Sequence, residues 1–175
     1  MLNNLHKALL RFIMKLKGAF IMLKGIKQSD KELLPVIQKY GCLFLCFANA
    51  SPLIFEGSNG RKALNKIWKE AEKKGYISED RNHDGDYDDD GEAEIQNHMA
   101  LANEFFALSV RYDNIHHKKK KKIPSNVAVV FGHYVFKFGH FVQLNKSKEV
   151  IFDSFGVSNT VKNGKLDNMR WYYAD

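Results

Sequence analysis

Cysteine and proline are scarce in this 175-residue chain, with two and three copies, and no apolar run approaches the roughly 18 residues that would span a membrane. Two cysteines cannot build a disulfide framework, so Cys42 and Cys46 read as intracellular thiols and predict a cytoplasmic protein. A cleavable leader is disfavoured because Arg11, Lys15 and Lys17 interrupt the apolar stretch near the start, although secretion and membrane-surface association stay open as alternatives. Acidic charge is scarce too, except in one block. Residues 80–104 carry 9 acidic and 1 basic group, against 6 and 14 in residues 1–79 and 5 and 12 in residues 105–175. The net charge of +7 is therefore interrupted, which argues against one continuous nucleic-acid surface, and no nucleic-acid motif accompanies it. An apolar content of 45% excludes a disordered chain.

What remains is enough for one domain with an extension. Residues 1–28 predict a basic helical extension. Leu2, Leu5, Leu9, Phe12, Leu16, Ala19, Leu23 and Ile26 recur at three- and four-residue steps, with lysines and arginine on other faces. Residues 2–26 would pack on the domain or a second copy, or lie on a membrane surface; a dispensable extension before Met22 is a third reading. Residues 29–175 predict an α+β domain, helices first and strands later. Ser29 and Glu32 have capping-box spacing ahead of a short helix containing Pro35. An apolar helix starts at Cys42 and stops near Ser51-Pro52. Gly57–Gly60 reads as a turn before a helix over 61–74, with Leu64, Ile67, Trp68 and Ala71 inward and Gly75 as its stop. A further helix is predicted over 92–109. Strands follow at 127–131, 134–138, 141–144 and 150–152, spaced as antiparallel hairpins.

Cys42 is the candidate nucleophile. It opens a helix, where the positive end of the macrodipole favours thiolate. His140 opens a strand, and His140, Val142 and Leu144 would share its buried face. Asp153 ends the next strand, after a turn at 145–148. Cys, His and acid at the edges of regular elements are how thiol nucleophiles are assembled. Each has a plain reading as well: Cys42 as core, Asp153 as a turn residue, and His133 as a rival to His140. Cys46, one helical turn after Cys42, reads as core.

Three segments carry a family resemblance: Tyr40-Gly41-Cys42 before a helix, Gly139-His140-Phe141-Val142 opening a strand, and Ile151-Phe152-Asp153-Ser154-Phe155-Gly156. Together with Gly156–Gly164 they resemble papain-like cysteine peptidases, in particular the bacteriocin-processing branch and its phage- and plasmid-borne bacterial relatives, over roughly residues 30–172. The resemblance implies a helical part carrying the Cys against an antiparallel sheet carrying the His and Asp. It implies that Cys42 attacks, His140 moves the proton and Asp153 orients the imidazole. The family sets an oxyanion-stabilising Gln six residues before the Cys. Val36 stands there in this chain, and Gln38, four before, is the nearest candidate.

The acidic block holds a calcium-loop beginning. Asp80, Asn82, Asp84, Asp86 and Asp88 supply oxygens at alternate positions with Gly85 sixth, but Gly91 occupies the twelfth position, where a bidentate Glu is needed. It reads either as a Ca²⁺ site or as a solvated loop. His116, His117 and Lys118–Lys122 read as a solvated basic loop. The expected function is a thiol hydrolase acting on a peptide or isopeptide bond in a peptide or protein substrate, with no cofactor required. A catalytically inactive binding domain of the same fold and a calcium- or polyanion-binding module are the competing readings.

Overall fold

The computed structural model describes residues 25–78, 93–117 and 122–174. Helix α1 spans Pro35–Tyr40, α2 Cys42–Ala50 and α3 Gly57–Lys73. Strands β1 (Ile77–Ser78) and β2 (Glu94–Ile95) pair antiparallel, and α4 covers His98–Phe105. The remaining elements are β3 (Val110–His117), β4 (Val127–Val135), β5 (Gly139–Leu144), β6 (Val150–Phe152), α5 (Asn159–Asn163) and β7 (Lys165–Ala174). Strands β3 to β7 form one antiparallel sheet in the order β3-β7-β4-β5-β6. The chain is therefore α+β, with its helices mostly before its strands.

The sheet separates two apolar layers, because alternate residues of a strand point to opposite faces. On one face Phe131, Phe152 and Tyr172 meet the helices, in a core shared with Phe44, Phe47, Leu64, Trp68 and Phe106. Phe44 meets Trp68 edge-on at 5.0 Å and Phe106 at 5.2 Å. Such pairs add about 0.5–1.5 kcal/mol each beyond the area they bury. On the other face Val130, Val142, Leu144, Met169 and Trp171 form a smaller layer, against which Val161 of α5 packs.

Several predicted elements fall where expected. Helix α2 ends at Ala50. Helix α3 buries Leu64, Trp68 and Ala71 and stops at Gly75, whose φ is +70°. There the N–H of Tyr76 bonds Ala71 O at 2.8 Å and that of Gly75 bonds Glu72 O at 2.8 Å, a Schellman closure. The 145–148 turn joins β5 to β6, with Lys148 N–H bonded to Asn145 O at 3.0 Å.

Other expectations are corrected. Ser29 caps no helix: α1 begins at Pro35, whose missing N–H costs nothing at a first helical position, and Asp30 instead pairs with Arg61 at 2.5 Å. Residues 57–60 form the first turn of α3 rather than a separate turn. The helix predicted over 92–109 shrinks to eight residues, with Ile95 in β2 and Met99 exposed. His116 and His117 end strand β3 and are not in a loop. Residues 127–135 form one strand, not two, and 136–138 turn the chain into β5. Strand β7 was not anticipated, yet it lies between β3 and β4. Of the basic helix predicted over 2–26, only Gly25 and Ile26 lie within the described residues, and they are not helical.

Gly41 ends α1 and precedes α2, and its φ of −79° suits any residue. The constraint is contact: a Cβ there would sit 2.5 Å from Ile37 O and 2.7 Å from Ile37 Cγ2. Gly41→Ala should therefore strain the last turn of α1 and cost about 1–3 kcal/mol, read as a lowered denaturant midpoint at unchanged slope.

Candidate active site

Because α1 and α2 share Gly41, Cys42 is the first residue of α2 and sits at its positive end, half-buried. The helix then runs alongside β5. Cys46 Sγ donates to Phe141 O at 3.5 Å, and Asn49 Nδ2 donates to Gln143 Oε1 at 2.7 Å. Cys46 is four positions after Cys42 in the helix, and Asn49 is three further on. At about 1.5 Å per residue this is ~10 Å, matched by three strand residues at about 3.3 Å each. The register therefore carries Cys42 back to the start of β5, where His140 lies.

His140, Val142 and Leu144 are all buried, as the alternation predicted. The ring of His140 bonds through Nε2 to Asp153 Oδ1 at 2.8 Å, and the Cys42 side chain lies near enough to raise its pKa. With Nε2 on Asp153, Nδ1 is the ring nitrogen left for Cys42. Asp153 is held by two further donors, Phe155 N–H to Oδ1 at 2.9 Å and Ser158 N–H to Oδ2 at 2.9 Å. Its turn closes by Gly156 N–H to Asp153 O at 2.8 Å, and Gly156 has a φ of +87° that favours glycine. The Phe155 ring lies over His140 at 5.1 Å and screens the His–Asp bond from water.

Charge follows geometry. Burial opposes a charged His140, but hydrogen bonds to Asp153 and Cys42 and the charges of both outweigh it and raise its pKa to about 9. Burial likewise opposes the Asp153 carboxylate. The bonds from His140, Ser158 and Phe155 outweigh it and hold its pKa at about 2. An imidazolium–carboxylate pair thus persists through neutral pH beside the sulfur. Burial pushes the Cys46 thiol well above its ordinary range, so Cys46 is inert core.

The structure thus brings Cys42, His140 and Asp153 together, but it directs Gln38 elsewhere. The Gln38 amide donates to Leu33 O at 2.8 Å, within its own helical neighbourhood. His133, the rival base, sits 3.8 Å from Asp167 and stacks on Phe141 at 4.6 Å. Two buried polar residues were missed, one of them beside the site. Gln28, fully buried, accepts from Ser154 Oγ at 2.9 Å through Oε1 and donates its backbone N–H to Ser154 O at 2.8 Å. These bonds tie residues 25–28 to the turn that carries Asp153. No periodic signal marks a lone Gln before a helix, so only the fold exposes this link. His98 was also missed: it meets Tyr172 Oη at 2.8 Å, and burial and the Arg170 cation push its pKa down to about 4.

The calcium-loop residues Asp80, Asn82, Asp84, Asp86 and Asp88 lie outside the described residues, as do Lys118–Lys121. Among the described residues no three His, Cys, Asp or Glu side chains are grouped to hold a metal ion, and no helix is long and apolar enough to cross a membrane. Comparison with family models, curated proteins and solved structures finds no match to this chain.

The pair also links stability to pH. The His140 contribution is complete below its unfolded pKa of about 6.5 and is lost as pH rises through about 9. The Asp153 contribution is complete above 3.8 and is lost as pH falls through about 2. Denaturant midpoints should therefore fall on either side of the window between those limits. In Asp153→Asn the His140 titration, followed by NMR of its ring protons, should move down towards the ordinary imidazole value. An unmoved titration would show that Asp153 does not hold the charge.

Proposed function

We propose that this chain is a thiol hydrolase of papain-like arrangement that cleaves a peptide or isopeptide bond. The observation carrying this reading is the placement of His140, bonded to Asp153 at 2.8 Å, beside Cys42 at the junction of a helix start and a strand start. The Cys42 thiolate adds to the carbonyl carbon. The C–N bond breaks as His140 gives its proton to the leaving amine, and a thioester remains. Water then attacks the thioester while His140 takes a proton from it. The acid departs, and the thiolate–imidazolium pair is restored. Asp153 keeps the ring oriented and supports its charge throughout. The amide at the start of α2 has no intrahelical acceptor, so Cys42 N–H is the oxyanion donor this geometry supports.

One observation favours a second reading. With Gln38 committed to Leu33, no side-chain oxyanion donor is identified among the described residues, and an inactive domain of the same fold that binds a partner would share every other feature.

Alkylation separates the two. Under the hydrolase reading iodoacetamide labels Cys42 at pH 6–7 at least about tenfold faster than a free thiol, while Cys46 stays unlabelled in the folded protein. His140→Ala should abolish the difference. Cys42→Ala should lower hydrolysis of a peptide library, read by mass spectrometry, by about 10³-fold or more. Equal slow labelling of both thiols, or hydrolysis surviving Cys42→Ala, would overturn the assignment.

A further inference from the structure

We propose that the end of the sheet bearing His140 docks on an anionic lipid surface. Two loops meet there. The β4–β5 turn runs through Val135-Phe136-Lys137-Phe138 directly before Gly139-His140. The turn after β6 runs through Phe155-Gly156-Val157 and is fastened to the same place by Phe155 against the His140 ring. The start of β7 joins them: Lys165 pairs with Val135, and a Cβ on Gly164 would meet Val135 O at 2.7 Å.

The apolar side chains at this end point outward. Phe138 is 78% exposed and Val157 84%, with Phe136 and Phe155 also exposed. They stand at the tips of turns, as protruding knobs rather than the lining of a pocket. A soluble surface bears isolated apolar residues without consequence, but four on two adjoining turns form a patch.

Charge selects the occupant. Lys137 lies between the two phenylalanines, Lys162 and Lys165 flank them, and all three are exposed. Lys27 adds a fourth cation, its Nζ 3.6 Å from the position of a Cβ on Gly156. No acidic residue occurs in 133–139 or 154–166; Asp153 beside them is buried and bonded to His140, and the neighbouring Asp167 faces His133, against four lysines. Aromatic tips that enter the headgroup layer, with lysines spreading to reach anionic phosphates, are the composition of an interfacial contact. A peptide-binding site would offer a concave apolar wall with convergent polar groups instead. The contact needs neither Cys42 nor proton transfer by His140, so it stands or falls apart from hydrolysis.

The test is co-sedimentation of the full chain with vesicles of phosphatidylcholine alone or mixed equally with phosphatidylserine. Binding should require phosphatidylserine and weaken as salt rises. Phe138→Ser with Val157→Ser, and separately Lys137→Glu with Lys165→Glu, should each weaken it at least about tenfold while circular dichroism stays unchanged. Phe138→Trp, which keeps the aromatic bulk, should shift its emission to the blue on anionic vesicles. Three outcomes would overturn the proposal. One is no binding to anionic vesicles, which would leave the patch to a protein partner. Another is binding indifferent to phosphatidylserine. The third is equal binding by wild type and both double variants, which would place the contact in the basic residues 1–24.

Discussion

The packing of α2 along β5 is the contact on which the remaining arrangement depends. It is the main bridge between the helices and the sheet, and it is held by two hydrogen bonds, from Cys46 to Phe141 O and from Asn49 to Gln143. The helix rises less than half as far per residue as the strand, so a seven-residue span of one matches a three-residue span of the other. A helix shifted by one turn would keep its apolar burial but move Cys42 about 5 Å from His140. The inert Cys46 therefore helps to place Cys42. This gives it a physical role beyond filling space.

The acid end of the site is built in a different way. Asp153 is oriented by a local turn: the N–H groups of Phe155 and Ser158 both point at its carboxylate. Three donors on one buried carboxylate explain why it stays ionised although burial opposes the charge. The same turn places Phe155 over His140 and leaves Val157 in solvent. Orientation of the acid, shielding of the base and the exposed apolar tip thus share six residues. Gln28 then fastens this turn to the chain ahead of the first helix, so the segment before α1 supports Asp153 from outside.

Much of this was legible in the residues themselves, for reasons that differ by element. The α2 and α3 helices were readable because their apolar residues repeat at the helical period and end at Pro52 and Gly75. Strand β5 was readable from strict alternation. Strand β7 was not: Lys165-Leu166-Asp167-Asn168-Met169-Arg170 mixes charge and apolar groups, although the strand is paired on both sides. Its polar residues on one face meet His98, His133 and Phe141, which tolerate them. A pattern that assumes a polar face means solvent fails there. The capping box at Ser29 failed because Pro35 offered a better start and Asp30 found Arg61 across the fold.

The candidate residues and their order could be read locally, because a helix-opening Cys, a strand-opening His and a strand-ending Asp are each marked by their immediate neighbours. Which of them meet depends on how the folded elements pack. Packing sets His140 on Asp153 and His133 beside Asp167, and turns Gln38 back to Leu33. It brought Gln28 to Ser154 across 126 residues of chain. Such contacts depend on the relative placement of elements far apart in sequence, and no local period or turn signal encodes that placement.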